Sequence, residues 1–362
     1  MVRNVYIHIP FCKSKCNYCS FISYPCISLK EKYLAALDKE INHFYKGENL
    51  KTLYFGGGTP SLLKPEEFAR IIKQFKTTEE TEITAELNPE GLTFEYMQAL
   101  RILGINRISL GCQTFDEKIL KIIARRHNAE DVINAVKNAK LAGFANISLD
   151  FIYGLPEQTI EIFEQDLKQA LSLGIQHISL YGLKIDEGCY FYRNMPANLP
   201  DDDLQADMYK KAIEILTANG FEHYEISNFS LAGFNSKHNL NYWDNNTYYG
   251  FGAAAHGYIN GVRYSNKENL EDYIKNPLLH AVEHIVTGQE KLEEEIFLGF
   301  RRGCGLNTEQ INKKFDINFA NKYQNILQKY IKTGHILKTK YGYKFSDDGF
   351  MLSNLILAEF LE

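Results

Sequence analysis

Cys12, Cys16 and Cys19 stand together in the stretch Tyr6-Ile-His-Ile-Pro-Phe-Cys12-Lys-Ser-Lys-Cys16-Asn-Tyr18-Cys19. The CxxxCxxC spacing follows a short apolar run and puts three thiolates on one loop. Thiolates this close can hold three corners of an iron–sulfur cubane, leaving the fourth iron open to a small molecule. A disulfide framework is one competing reading, but it belongs to short, secreted, cysteine-dense chains. This chain has 362 residues and seven cysteines. Zinc is the other, and a structural zinc wants a fourth Cys or His at ligand spacing, usually in CxxC pairs. Where a fourth nearby cysteine would stand, the residue is Phe21. The spacing therefore favours a cluster. Cys26, Cys112, Cys189 and Cys304 are scattered and are expected to be small buried apolar residues.

Other chemistry-bearing residues recur further along. Gly56-Gly57-Gly58-Thr59-Pro60 follows a second apolar run. Glycines there permit positive φ and close backbone approach to a ligand, although a plain strand-to-helix turn would look the same. Glu86 ends a third run, Gln113 follows a fourth, and Asp150 ends a fifth. Singly, such residues are caps or turn formers. In succession on one rim they suit a zwitterionic nucleoside. Arg125 could reach a carboxylate, while Arg125 and Arg126 read by default as solvated charges.

The elements that must position these groups alternate. Strands are expected at Val5–Ile9, Thr52–Phe55, Ile83–Leu87, Arg107–Leu110, Asn146–Phe151 and His177–Leu180, each followed by a helical stretch. The first helix is expected to start at a Ser28/Glu31 capping box and to carry an apolar stripe of Tyr33, Leu34, Leu37, Ile41 and Phe44. Six such alternations predict an α/β fold: a parallel sheet curling into a partial (β/α)6 TIM-like barrel, with chemistry at the C-terminal ends of its strands. Residues 183–285 break the rhythm, with a helix near Asp203–Ala218. From about 288 come three helices, a hairpin around Tyr341-Gly342 and a last helix, Asp347–Phe360, which is a winged-helix pattern. The expected division is 1–225 for the barrel, 226–287 for an extension and 288–362 for the C-terminal domain.

Composition excludes several classes. The net charge is −5, and residues 288–362 hold eleven Lys/Arg against ten Asp/Glu, so neither the chain nor its winged-helix segment offers a basic nucleic-acid surface. A winged-helix transcriptional regulator is disfavoured on that ground. No run of 18 apolar residues is present, so no membrane span is expected. Met1-Val-Arg-Asn leads straight into a strand, with no signal peptide expected. A cluster loop needs a reducing compartment, and a cytoplasmic location is expected.

The cysteine spacing resembles the radical S-adenosylmethionine (SAM) superfamily, whose open iron chelates the amino acid end of SAM. YIHIPFCxxxCxYCxF, YFGGGTPSLL, AELNPE, RISLGCQTF and DFIYGLP together resemble the family that contains oxygen-independent coproporphyrinogen dehydrogenases and haem chaperones. The resemblance implies a 4Fe–4S cluster on Cys12, Cys16 and Cys19. It implies SAM contacts at Tyr6, Tyr18, Gly57, Gly58, Thr59, Glu86, Gln113, Arg125 and Asp150. A further contact aligns with Lys184, a poor match. Two features point to the chaperone branch. The dehydrogenases carry a further cysteine at the position of Phe21, and they have an N-terminal extension before the cluster loop. A third is His238-Asn-Leu-Asn-Tyr242-Trp243, which matches an HNxxYW motif of the chaperones. A neutral imidazole is a common haem ligand, and Tyr242 and Trp243 offer flat faces beside it. The plain alternative is a core histidine.

The resemblance thus implies haem as cargo and haem-requiring acceptors, such as respiratory haemoproteins, as partners. Peripheral contact with membrane haemoproteins is left open. On that reading no residue is assigned a catalytic role. The alternative is a SAM-cleaving enzyme that oxidatively decarboxylates porphyrinogen propionates.

Overall fold

The computed structural model describes residues 1–361. Six parallel strands form its frame: β1 (Asn4–Ile9), β2 (Thr52–Gly57), β3 (Glu82–Leu87), β4 (Arg107–Gln113), β5 (Ile147–Tyr153) and β6 (His177–Gly182). Helices α1 (Lys30–Phe44), α2 (Pro65–Ile72), α3 (Phe94–Ile102), α4 (Glu117–Ile122), α5 (Ala129–Leu141) and α6 (Ile160–Ser172) occupy the connections. The strands pair in sequence order, with β1 in register with β2 from Asn4–Thr52 to Ile9–Gly57. β7 (Glu222–Glu225) and β8 (Asn228–Ser230) extend the β6 edge antiparallel, and β9 (Tyr249–Phe251) pairs parallel with β1. The nine-stranded sheet does not close on itself, so the barrel is partial.

Alternation along these strands explains both faces. Val5, Ile7, Leu53, Phe55, Ile108, Leu110, Leu149 and Ile178 are fully buried and belong to the main apolar core. The intervening residues are polar and meet across the other face, where Thr52 bonds Asn4, Tyr54 bonds Glu86, and Ser109 bonds Asp150. A (β/α)-barrel interior is usually filled with branched apolar side chains. This lumen is lined with hydrogen-bonding groups instead.

The first helix departs from expectation at its start. A 3-10 turn, Ile27–Leu29, precedes α1, whose N-cap is Leu29 with no side-chain cap, so Ser28 caps nothing. Its stripe buries Tyr33, Leu34, Leu37 and Ile41 as expected. The same face carries Glu40, which is wholly buried. Its carboxylate accepts from Gly252 N (2.8 Å), the Tyr273 hydroxyl (2.5 Å) and Asn266 Nδ2 (2.5 Å). Gly252 has φ 101° and lies so near β1 that a Cβ would stand 2.6 Å from the His8 carbonyl oxygen. Glu40 thus ties residues 249–273 to the barrel. A small antiparallel sheet of β10 (His256–Ile259), β11 (Val262–Ser265) and β12 (Val282–Ile285) follows β9.

The C-terminal segment is winged-helix-like. Helices Gly288–Phe300 and Thr308–Phe315 are followed by Phe319–Lys322 and Gln324–Lys332, and strands Leu306–Asn307, Ile336–Lys338 and Gly342–Phe345 form a three-stranded antiparallel sheet. The last helix is broken at Leu352 into Asp347–Met351 and Ser353–Ala358. The segment sits directly on the barrel edge, where Gly303 N donates to Tyr224 O (2.8 Å). Among the described residues no helix is long and apolar enough to cross a membrane.

Replacing Glu40 by Ala leaves three buried donors without their acceptor. The expected cost is about 3 kcal/mol or more of folding stability, read by urea unfolding. A loss below ~1 kcal/mol, the scale of one ordinary hydrogen bond, would show that residues 249–273 are held by other contacts.

Candidate functional site

The three cysteines lie on the connection between β1 and α1. All are half-buried and none is in a disulfide. Their loop is closed at its base by Cys12 N to Tyr24 O (3.2 Å) and Tyr24 N to Pro10 O (2.8 Å). Cys19 N turns back to Cys16 O (3.1 Å), and Asn17 fastens the loop to α4 through Ile123 O (3.1 Å) and Ile122 O (2.7 Å). Burial raises the Cys19 thiol, and the Cys16 and Cys12 charges add to this. Such a thiol gives up its proton when a metal arrives. Among the described residues no His, Cys, Asp or Glu set converges on a single metal ion. A cubane does not ask for that, because each thiolate takes a different iron.

A chain of side chains links two of these sulfurs to the barrel rim. Thr59 Oγ1 donates to Cys12 Sγ (3.3 Å) and accepts from Asn88 Nδ2 (3.2 Å). Arg125 Nη2 donates to Asn88 Oδ1 (3.1 Å) and to Gly111 O (2.5 Å), and its Nη1 reaches Cys16 Sγ at 3.6 Å. Arg125 therefore is not a solvated charge. It stands just past α4 and not within a helix. Arg126 does behave as a surface charge, paired with Glu90 at 3.3 Å. Asn88 was not anticipated. The available signal was its position two residues after Glu86, on the same face of an extended segment.

The remaining rim residues gather around this chain. Glu86 accepts from the Tyr54 hydroxyl (2.7 Å) and Gly57 N (3.3 Å), and burial pushes its carboxyl up to about 7. Asp150 lies mid-strand on β5 and accepts from Ser109 (2.8 Å) and Ser148 (3.3 Å), with its carboxyl also raised by burial. Gln113 ends β4 at a bulge with φ 70°, a strained setting for a non-glycine residue. Tyr6 bonds His8 Nδ1 (3.1 Å), and Tyr18 packs among Ile119, Leu120 and Phe191. Gly57 and Gly58 are required by close protein packing. A Cβ on Gly57 would meet the His8 ring at 2.6 Å, and one on Gly58 would meet the Phe11 carbonyl oxygen at 2.6 Å. Lys184 points away, 81% exposed and paired with Asp186. Two other cysteines correct the expectation of burial, because Cys26 and Cys304 are exposed. Phe21 is also exposed.

The His238 motif occupies the opposite end of the lumen. Helix Lys237–Trp243 sits against the starts of the strands, where Glu82 accepts from its first two N–H groups, Lys237 N and His238 N (3.0 Å each). His238 is 1% exposed. Its Nδ1 is 2.8 Å from Thr52 Oγ1 and its Nε2 is 2.9 Å from the Tyr242 hydroxyl. Thr52 gives its only hydrogen to Asn4 Oδ1 (3.1 Å), so it must accept from Nδ1–H. Nε2 is then the unprotonated nitrogen, covered by the Tyr242 O–H. The ring stacks on Tyr54 at 4.7 Å, and burial lowers its pKa to about 3. Trp243 lies half-buried against Arg301 (5.8 Å). The length of β1 separates this motif from the cysteines, about 16 Å at strand rise. The motif thus lies at the N-terminal ends of the strands, away from the rim.

The model of the radical SAM superfamily matches residues 6–170. The chain is 38% identical to the heme chaperone HemW of Lactococcus lactis, over 99% of this chain and 97% of that one. The chain belongs to the HemW family. It is 36% identical to HemW of Bacillus subtilis, over 99% of both chains. The solved structure of coproporphyrinogen III oxidase HemN from Escherichia coli, a radical SAM enzyme, superposes with a TM-score of 0.87 at 22% identity, covering 99% of this chain and 89% of that one. That likeness shows the fold, a partial (β/α) barrel followed by a winged-helix-like segment, as the alternation of strands and helices implied.

The buried, neutral His238 has a pH signature. Its pKa is about 3 in the folded chain and about 6.5 unfolded, so its contribution is complete above pH 6.5 and is lost as pH falls towards 3. Replacement by Gln destabilises at neutral pH but removes that acid sensitivity. The penalty of His238→Gln should therefore shrink by ~1.4 kcal/mol between pH 7.5 and 5.5, as read from urea midpoints. A penalty constant across that range would mean that the imidazole is open to solvent.

Proposed function

We propose that this protein is a haem chaperone that binds haem and passes it to acceptor haemoproteins, holding a 4Fe–4S cluster on Cys12, Cys16 and Cys19 with SAM at the open iron. The observation that carries the reading is the full-length similarity to HemW proteins. Phe21 supports it, since it stands where the resemblance places the dehydrogenases' further cysteine. Cytoplasmic conditions would keep the thiols reduced, and respiratory haemoproteins are the acceptors we propose.

When bound, a cubane with one open iron chelates the amino and carboxylate groups of SAM and can pass it an electron. The chain's own residues prepare that place. Thr59 and Arg125 supply hydrogens to two of the sulfurs, and the Arg125 cation offsets part of the negative charge that thiolates bring. Glu86 and Asp150 would offer acceptors to the amino N–H and ribose hydroxyl groups of SAM. Gly57, Gly58, Gln113, Tyr6 and Tyr18 shape the rim around them. For haem, His238 would supply Nε2, which the Tyr242 hydroxyl covers in this structure, with Thr52 orienting the ring through Nδ1. Trp243 and Tyr242 would give apolar faces to the macrocycle. Residues 1–225 would carry the cluster and SAM, 226–287 the haem motif, and 288–362 the contacts to acceptors.

Substituting Cys12, Cys16 or Cys19 by Ala should collapse the iron content of anaerobically reconstituted protein, while Cys26→Ala leaves it intact. Equal iron loss in Cys26→Ala and Cys16→Ala would point to a different ligand set.

The chaperone and enzyme readings part in one paired experiment. Haem titration should develop a Soret band, and anaerobic incubation with coproporphyrinogen III and SAM should yield no protoporphyrinogen IX. His238→Ala should change the band. Robust decarboxylation, with haem binding indifferent to His238, would favour the enzyme.

A further inference from the structure

The junction between helix Lys237–Trp243 and the C-terminal segment holds N–H donors that, among the described residues, no group accepts. Trp243 Nε1, Arg301 Nε and Arg302 Nε are each buried and without a hydrogen-bond partner. Buried donors of this kind call for an acceptor, and three of them stand at this one junction. The two arginines differ. Arg302 Nη1 pairs with Asp244 at 2.5 Å. Among the described residues no carboxylate contacts Arg301. Its Nη2 donates to the neutral Asn354 Oδ1 (2.9 Å), and its guanidinium lies over the Phe297 ring at 4.0 Å and faces Trp243 at 5.8 Å. The acid near it is Glu225, whose carboxyl burial pushes up to about 8, so that at neutral pH it leaves the cation largely uncompensated. Burial also lowers the Arg301 pKa, as expected of a cation that lacks a counter-ion.

Phe297 also lines a neighbouring cleft with Leu298, Val286 and Leu361, whose lining is completed by Arg263, His284 and three glutamates and does not include Arg301 or Trp243. Of the cleft's acids, Glu294 pairs with Arg263 (2.5 Å), Glu290 bonds His284 (2.9 Å) and Glu293 accepts from the Gln289 amide (2.9 Å). An uncompensated guanidinium beside an indole N–H suits a carboxylate, and the apolar rings around it suit one carried on a flat apolar body. We propose that Arg301, with the Trp243 indole N–H beside it, docks a propionate carboxylate of haem. The proposal rests on the haem-chaperone reading and adds to it a residue from the C-terminal segment that selects the ligand's carboxylate arms. A guanidinium–carboxylate contact is charge-assisted and among the stronger hydrogen bonds.

The test compares haem with its dimethyl ester, in which both carboxylates are blocked, by Soret titration of the full-length protein. The unsubstituted protein should bind haem at least about tenfold more tightly than the diester, on the scale of one charge-assisted contact. Arg301→Gln should lose about that factor for haem and none for the diester, Arg301→Lys should retain most of the preference, and Trp243→Phe should lose a few-fold. Equal affinity of the unsubstituted protein for both ligands overturns the proposal without any variant having to fold. So does an Arg301→Gln protein that weakens for both ligands alike, which would mark a purely structural role. Binding of neither ligand by the unsubstituted protein would instead sink the haem-chaperone reading, and the propionate dock with it.

Discussion

A barrel with a polar interior must satisfy that interior from within, and this constraint governs the rest of the molecule. Each strand gives its apolar side chains to the helices and its polar ones to the lumen, so one residue of slip would reverse both faces. Inside, unpaired hydroxyls and carboxyls would each cost on the order of 1–3 kcal/mol. The observed answer is a continuous set of cross-strand pairs: Asn4 with Thr52, Tyr54 with Glu86, Ser109 with Asp150, and His177 held between Ser148 and Tyr224 (2.8 Å to each). The set is not complete, for Arg107 Nε and Thr84 Oγ1, neighbours in register, lack partners.

The polar lumen also explains why the two functional ends differ. At the rim, Glu86 and Asp150 are held by hydroxyls and a backbone N–H, and burial favours their protonated forms. A cationic ligand arriving there would draw those carboxyls back to the charged state, so ligand charge and carboxylate charge are coupled. At the floor, Glu82 plays a different part. It receives the first N–H groups of helix Lys237–Trp243, where a negative charge complements the helix dipole. The histidine that the motif presents is thereby fixed inside the barrel, stacked on Tyr54 and bonded on both ring nitrogens.

The strand pattern was legible because period-two alternation is local, and all six parallel strands lie within a few residues of where the sequence implied. The cysteine loop was legible because spacing alone sets how near three thiols can come. What could not be read was anything made across long sequence distance. Thr52 fixes the His238 tautomer from 186 positions away, and Asn241 meets Asn4 across 237. Nothing near either residue signals that contact. The same holds for Arg125, which local context made a surface charge and Asn88, Gly111 and Cys16 make an internal one. Ser28 failed as a cap because a 3-10 turn moved the helix start two residues onward. Cys26 and Cys304 failed as core residues because hydrophobicity says where a thiol is comfortable and not where the chain leaves it.

The C-terminal segment completes the floor that the barrel leaves open. Its Arg301 and Arg302 reach the end of helix Lys237–Trp243, one through the Trp243 ring and one through Asp244, while its backbone bonds Ile226 and Tyr224 on the sheet edge. A movement of the helix that frees His238 from Tyr242 must therefore be felt at Arg301, since Trp243 is the next residue along. Rim and floor are in turn joined through the lumen by short steps: Tyr54 touches both Glu86 and the His238 ring, and Tyr6 stacks on Tyr54 at 6.0 Å. A change in charge at Glu86 alters the acceptor of the Tyr54 hydroxyl directly and reaches His238 through one aromatic ring. The physical route from the carboxyl of Glu86 at the mouth to the imidazole at the floor is thus a pair of tyrosines, and it needs no displacement of the strands that carry them.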